Sequence, residues 1–581
     1  MKRITIILLN LIILLATACA GGGSETASLS EETCPLNDLP YPRPEPDYEG
    51  KLERDFGPFA AALNNYTPEQ AAAREILVSG KTVPELQQLM DSGELTAVDL
   101  TVYYLERIQR YDVDGLNSVL ELNPESLEIA QVLDDERAAD TVRGPMHGIP
   151  VLLKDNIATG DQLHTAAGAA AMLDWDPDRD AFLVGQLREA GAIILGKANL
   201  SEWANWMDSC MPNGFSANGG QTQNPYGPFE TFGSSSGSAV SVAADLVTVS
   251  VGSETQGSII KPAEVNSVVA LKTSRGLVSR DYVIPLLPWQ DVPGPIGRTV
   301  TDVAVLLSAM TGVDDNDPET AKASGLASTD FSQYLTSEAL DGLRVGVPIW
   351  NEEAFTQYFE ENDISDAEQQ QNLEDAFAPQ IEESRARIDA LTAAGVPVVE
   401  IPATATPSFG LVDVRPALEF GYKDAINAFL ASLGDDAPVR SLEEIIAFNI
   451  EDLANRAPYG QDHLEASQNT EVTAEEYEEL RRGNQAMAQE ALDQLFEQYD
   501  IDVIVSEVSQ LYAPAGYPAL TVPSGYDEEG TPQGTVFVGR YLSEPQLLAV
   551  GFAFEQAIQA WVAPDLEATL TLIDSLSSVN R

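Results

Sequence analysis

Histidine is almost missing from this chain, with three in 581 residues, and cysteine is as scarce at three. A hydrolase built on a Ser-His-Asp device therefore has little raw material. No HExxH, CxxC or EF-hand spacing occurs, so a dedicated metal site is not expected. No Gly-Lys-Ser/Thr follows a glycine-rich turn, which excludes a Walker phosphate loop. Basic residues are the third shortage: Lys and Arg total 32 against 91 Asp and Glu, a formal charge of −59. Such a field repels phosphate backbones and anionic bilayers, which argues against nucleic-acid partners. It speaks to solubility and says nothing about fold. What is plentiful is apolar residue, at 44 %, enough to bury a sizeable core in one large domain or two to three average ones.

The chain opens with "MKRITIILLNLIILLATACAGGGSE", a basic start, an apolar run and small residues near a cleavage point. This is the pattern of a secretory signal, too short to serve comfortably as a membrane-spanning helix. "ATAC" resembles the lipobox of bacterial lipoproteins, with Cys19 as the lipidated residue, although Ala16 stands where that pattern prefers Leu. We therefore expect residues 1–18 to be a signal peptide. The protein would be exported to the cell envelope or surface, touching a membrane only through a lipid anchor at Cys19. Cys34 and Cys210 either pair in an oxidising compartment, tying the N-terminal arm to the body, or stay free; spacing does not choose.

Residues 19–81, with "DLPYPRPEPDYEG", have the composition of a tether and an irregular arm. Order is expected from Thr82 to about residue 575, as a single domain. "TAVDLTVYYLERIQRYD" begins with Thr96 and an imperfect capping box, because Asp99 stands where Glu or Gln is usual. Further on, strand-like "IPVLL", "AIILG" and "LVTVSVG" alternate with helix-like "DAFLVGQLREAG" and "SAVSVAAD". That alternation predicts an α/β fold with a large central mixed sheet. Residues 315–500 turn acidic and helical in pattern ("NEEAFTQYFEENDISDAEQQQNLEDAF"), and are expected to form a cap or insertion. Strands return with "PALTVP" and "GTVFVG".

The stretch from Gly233 to Pro262, "GSSSGSAVSVAADLVTVSVGSETQGSIIKP", is rich in serine. Gly233–Gly237 satisfies G-x-S-x-G, but a nucleophile elbow needs a preceding strand and a late base histidine. Here "GQTQNPYGPFETF" precedes it, and only His463 lies downstream. A flexible linker is also excluded, since "AVSVAADLVTVSVG" is apolar enough to be a buried helix and strand. A serine that attacks an amide needs a base. With histidine scarce, the substitute is a desolvated lysine, whose neutral form burial favours. Lys154 ends the apolar run "GIPVLL" and is the best candidate, although a lysine at a strand end is more often a surface residue.

Four ordered blocks, "GPMHGIPVLLKDNI", "GQLREAGAIILGKANLSEWAN", "GSSSGSAVSVAA" and "GSETQGSIIKPAEVNSVVALKTSRGLVSR", resemble the amidase signature family. The resemblance runs from about Val83 to Ala560. Details such as "GSSSGSA", "SEWAN" and "AGYPALTVP" are most similar to its bacterial peptide amidases, which hydrolyse C-terminal carboxamides and release ammonia. It implies the amidase-signature fold, helices on both faces of the sheet, and a Ser-cisSer-Lys triad without cofactor or metal. Carried over by position, Ser258 in "TQGSI" is the nucleophile, Ser234 the bridging serine in cis linkage, and Lys154 the base. Backbone N–H groups of Thr255, Gln256, Gly257 and Ser258 would meet the oxyanion. Trp203, Asn205, Trp206 and Ser235 are candidates for the substrate pocket, buried packing being at least as good an account of the tryptophans. For Asp155, next to the lysine, a turn-stabilising role is the better reading.

The sequence also departs from the pattern. Phe232 replaces the usual Gly, Gln256 stands where Gly or Asp is common, Ile260 replaces an Arg, and "LKTS" replaces "LKPT", so that Thr273 stands in place of a proline. The segment before Ala515 is short, which bears on the substrate entrance. The expected function is an exported serine amidase acting on peptide amides, with other small aliphatic or aromatic amides as the alternative substrates. A catalytically inactive peptide-binding surface lipoprotein is the rival of a different class. Nothing in the sequence fixes an oligomeric state.

Overall fold

A strand buried on both faces reads as a continuous apolar run, and the sheet of this protein is built from several such runs. In the computed structural model, which describes residues 41–43, 45–46, 48–407, 411–506 and 508–580, eleven strands form one mixed sheet. In chain order its strands are β1 (Val119–Leu122), β2 (Pro150–Lys154), β3 (Ile193–Ala198), β6 (Val249–Glu254), β7 (Val269–Lys272), β8 (Val292–Gly297), β9 (Val345–Ile349), β10 (Val398–Pro402), β11 (Val503–Val505), β12 (Ala519–Tyr526) and β13 (Pro532–Gly539). A separate two-stranded ribbon joins β4 (Phe215–Ser216) to β5 (Gly220–Gln221). The order across the main sheet is β1-β3-β2-β6-β8-β7-β12-β13-β11-β9-β10.

Strand β2 runs parallel to both β3 and β6, so the C-terminal ends of all three lie at one edge of the sheet. Every residue of β2, β3 and β6 is buried, so layers must cover both faces, since alternate side chains point opposite ways. Helix Ser236–Ala243 packs on β6, Val300–Met310 on β8 and Glu544–Ile558 on β12. The mixed α/β architecture expected from the alternating pattern is the one observed.

Helix starts follow their local chemistry. Thr96 accepts from Asp99 N–H at 3.0 Å while Asp99 accepts from Thr96 N–H at 3.2 Å, so the box closes with Asp in the third position. The helix it opens, Ala97–Arg107, buries Leu100, Tyr104 and Leu105. Two sequence expectations need correction. The arm read as irregular up to residue 81 contains helices Ala60–Asn65 and Pro68–Val78, the second with a complete Thr67–Gln70 capping box and proline in its first turn. "TPEQ" carried that signal. Residues 315–500, read as a helical cap, hold the long helices Ala367–Ala393 and Ala474–Gln498 but also supply β9 and β10, one edge of the main sheet. Each strand is a run of five residues, set in a stretch dominated by long acidic helices. The expectations on Cys19 and Cys34 fall outside the described residues; Cys210 is disulfide-bonded.

Candidate active site

Lys154 is the last residue of β2 and is fully buried. Its Nζ donates to Ser234 Oγ at 2.7 Å, Ser235 Oγ at 3.1 Å and the Ser253 carbonyl at 3.0 Å. Loss of solvent pulls its pKa down to about 7, against the opposing pull of the Asp291 and Glu254 carboxylates. Among the described residues none of its hydrogen-bond partners is a carboxylate, so no charged group in contact with it fixes the ammonium form.

The two serine hydroxyls reach the lysine because the helix Ser236–Ala243 folds back against β6, bringing the loops at its start and at the strand's end together. Ser235 N–H donates to the Ser258 carbonyl at 3.1 Å, and Ser235 Oγ bridges to Ser253 O at 3.0 Å and Ser253 N at 3.2 Å. The Gly233–Ser234 peptide is cis, at the position the resemblance implies. Gly237 is required by close approach: a Cβ there would lie 2.3 Å from the Ser118 carbonyl and 2.5 Å from that of Asn199. Ser234 is fully buried, whereas Ser258 is 8 % exposed and its hydroxyl makes no hydrogen bond among the described residues. Lys154 and Ser234 are thus in direct contact, and Ser258 sits in the adjoining loop.

The turn that carries Ser258 is held from below. Glu254 Oε1 accepts Gly257 N–H at 2.6 Å, and Oε2 accepts Ile259 N–H at 2.8 Å and Ile260 N–H at 3.1 Å. Gly257 therefore drops out of the expected oxyanion donors, because its N–H is directed at a carboxylate. The N–H groups of Thr255, Gln256 and Ser258 have no acceptor among the described residues. Gly257 adopts φ +80°, a left-handed conformation that suits glycine. Thr255 Oγ1 donates to Asp291 at 2.5 Å, and Gln290 Nε2 donates to the Thr255 carbonyl at 3.1 Å. Asp291 also accepts the N–H groups of Leu286 and Leu287, each at 2.9 Å. Glu254 and Asp291 are the residues that sequence reasoning missed; Glu254 carried a readable signal, an acid closing the small and apolar run "VTVSVGS".

A cavity of about 210 Å³ opens at this edge of the sheet, lined by Asn156, Ala204, Thr255, Ile284, Leu286 and Asp291 among others. Neither the three residues of the expected triad nor the candidate substrate residues line it, although the neighbouring Ser253, Glu254 and Thr255 do. Trp203 and Trp206 are packed into an apolar cluster, and Asn205 is exposed; none of the three lines the cavity. Three successive left-handed residues, Trp203, Ala204 and Asn205 at φ +51°, +57° and +73°, turn the chain so that Ala204 takes that place. Such backbone costs roughly 1–2 kcal/mol per residue and persists only where packing enforces it. Ser235 does not line the cavity itself; it anchors the lysine and bonds Ser253, which does. His463 stacks on Trp206 at 4.6 Å, which leaves the serine loop without a histidine partner. Asp155 is fully buried, and its Oδ2 accepts the N–H groups of Ala166 and Gly168 at 3.3 and 2.9 Å, so it pins a neighbouring loop.

Comparison with known proteins gives these features a setting. Residues 99–515 match the family model described as Amidase. A probable amidase of Arabidopsis thaliana is 38 % identical over 486 residues, covering 82 % of this chain and 90 % of its own. An amidase family protein from Bacillus anthracis superimposes with a TM-score of 0.79 at 39 % identity, over 90 % of this chain and all of that one. The peptide amidase of Stenotrophomonas maltophilia does so with a TM-score of 0.72 at 36 % identity, over 84 % and 99 %. A buried lysine joined to serine hydroxyls, on a fold and sequence shared with these proteins, places the chain in the amidase signature family, as an amidase that hydrolyses carbon–nitrogen bonds.

Proposed function

We propose that the protein is an exported serine amidase that cleaves the C-terminal carboxamide of peptides, with Ser258 as nucleophile, Ser234 as proton relay and Lys154 as base. The 2.7 Å contact between Lys154 Nζ and Ser234 Oγ, inside a site dry enough to favour the neutral amine, is the observation that carries this reading. Neutral Lys154 takes a proton from Ser234 as Ser234 takes one from Ser258, and Ser258 Oγ attacks the amide carbonyl. The oxygen that becomes negative meets the free N–H groups of the 255–258 turn. Removing one such donor costs roughly 100- to 1,000-fold in rate in comparable enzymes. The proton then returns through Ser234 to the departing nitrogen, ammonia leaves, and water repeats the sequence on the acyl-enzyme. The scheme needs no cofactor. Peptide amides are favoured by the likeness to a peptide amidase over nearly the whole of that protein. Export and a lipid anchor at Cys19 rest on the first residues of the sequence.

The test is ammonia release from a C-terminally amidated dipeptide, set beside simple aliphatic and aromatic amides, by the chain lacking residues 1–19. Preferential turnover of the dipeptide amide, abolished in Ser258→Ala, supports the reading. Turnover of the simple amides alone reassigns the substrate. No turnover by folded protein favours the peptide-binding lipoprotein.

A further inference from the structure

Glu254 closes β6 and is 1 % exposed. A carboxylate in such a place must be satisfied, and this one is satisfied entirely by backbone: Gly257, Ile259 and Ile260 each donate an N–H to it. The choice of amides has a geometric consequence. Gly257 N–H belongs to the peptide plane before the one that carries Ser258 N–H, and Ile259 N–H to the plane after it. Both flanking planes are pinned to a single side chain, so the plane between them has little freedom to rotate. The same clamp removes three amides from competition and leaves those of Thr255, Gln256 and Ser258 without an acceptor among the described residues, beside the nucleophile.

We propose that Glu254 is a positioning residue for transition-state stabilisation: it holds the 255–260 turn so that the unbonded amides converge on the carbonyl oxygen when that oxygen becomes negative. It acts on the oxyanion through the backbone and neither gives nor takes a proton; its charge bears on Lys154 only at a distance, so kcat is compared at the pH where each variant's rate has levelled off. The inference rests on Ser258 being the nucleophile. An acceptor-only side chain is needed, because every group facing it is a donor. Gln in its place offers one acceptor oxygen and turns an NH2 group toward backbone N–H groups. Asp keeps the charge but is one methylene shorter.

The experiment uses the full chain and its best amide substrate from the assay above. Wild type, Glu254→Gln, Glu254→Asp and Ser258→Ala are compared for kcat, KM, and affinity for two inhibitors, a dipeptide aldehyde and the matching dipeptide alcohol. The aldehyde forms a tetrahedral adduct with a serine and so requires the oxyanion donors; the alcohol does not. The expected result for Glu254→Gln is a fall in kcat of about 100-fold, KM within about twofold, aldehyde affinity weakened by a similar factor and alcohol affinity unchanged. Glu254→Asp should recover part of both losses. Wild-type kcat in Glu254→Gln, or equal weakening of aldehyde and alcohol, overturns the proposal while leaving Ser258 in place. Failure of both Glu254 variants to fold overturns it in favour of a purely structural carboxylate. Turnover by Ser258→Ala overturns both it and the catalytic reading on which it rests.

Discussion

Two fully buried lysines stand on neighbouring strands of this protein and have opposite surroundings. Lys154 on β2 pairs in register with Ala198 on β3, so Lys197, one position earlier, points to the other face of the sheet. Lys154 donates to two serine hydroxyls and a carbonyl, and its charge is opposed by burial with two carboxylates at a distance. Lys197 donates to the Ile157 carbonyl and to Thr165 Oγ1 at 2.8 Å, with Asp155, Asp161, Glu121 and Asp180 around it. Burial lowers both amines, Lys154 to about 7 and Lys197 to about 8. Desolvation alone therefore does not distinguish a base from a strut. The difference lies in the hydroxyl each amine touches: Ser234 belongs to a loop joined to that of Ser258 by the bond from Ser235 N–H to the Ser258 carbonyl, whereas among the described residues the Thr165 hydroxyl bonds Lys197 and neither serine loop.

The comparison breaks most sharply on removal of the amines. Lys154→Met should lower kcat by at least about 1,000-fold, as losing a member of a nucleophile–base unit does, with folding retained because a buried amine is replaced by an apolar side chain of similar length. Lys197→Met should do the reverse. It leaves the Ile157 carbonyl and the neighbouring acids without their cation, a loss of roughly 3 kcal/mol, and turnover per folded molecule should stay within about threefold. Ammonia release and urea unfolding on both variants decide the matter. Equal effects on activity would erase the distinction drawn between the two sites.

Protonation separates the two sites next. Lys154 must be neutral to accept a proton, so kcat/KM should rise with pH through about 7 and level off above it. Asp291 and Glu254 hold that value up, since each negative charge favours the ammonium. Asp291 meets only donors (Thr255 Oγ1 and two backbone N–H groups), as an ionised carboxylate requires. In Asp291→Asn the opposing charge is gone, Lys154 falls further, and the acid limb of the profile should move to lower pH. A limb that stays in place, or moves up, would show that the titrating group is not Lys154.

How far the sequence alone could draw this contrast depends on which residues are asked. Lys154 ends the run "IPVLL" and Lys197 ends "AIILG", so the argument that singles out a buried lysine from its apolar neighbours applies equally to both. Only the resemblance of the surrounding blocks separated them. The serine loops were legible for the same reason, and the alternating architecture was legible from periodicity. Asp291 was not, and Glu254 only as an acid closing an apolar run, because what makes them important is which backbone amides reach them in three dimensions. The tryptophans of "SEWANW" stood open between pocket and packing, and the left-handed turn through Trp203–Asn205 sends both into the packing while Ala204 lines the cavity. Strands β9 and β10 were missed where a few apolar residues sit in an acidic stretch.

The smallest effect tests the hydroxyls themselves. Ser235→Ala removes one of three acceptors of Lys154 and one tie between the loops; Ser234 and the Ser253 carbonyl remain. A fall in kcat of about tenfold is expected, the rate equivalent of one hydrogen bond of about 1.4 kcal/mol. Thr165→Val removes the matching hydroxyl from Lys197 while keeping shape. One buried N–H donor then loses its partner, at a cost of about 1–3 kcal/mol in stability, and kcat should not move. If Thr165→Val lowers kcat as much as Ser235→Ala does, the two lysine networks are coupled through the sheet and the division between base and strut fails. If only Ser235→Ala does so, the faces of β2 and β3 are chemically separate, and one sheet holds a reactive amine and a structural amine a single register step apart.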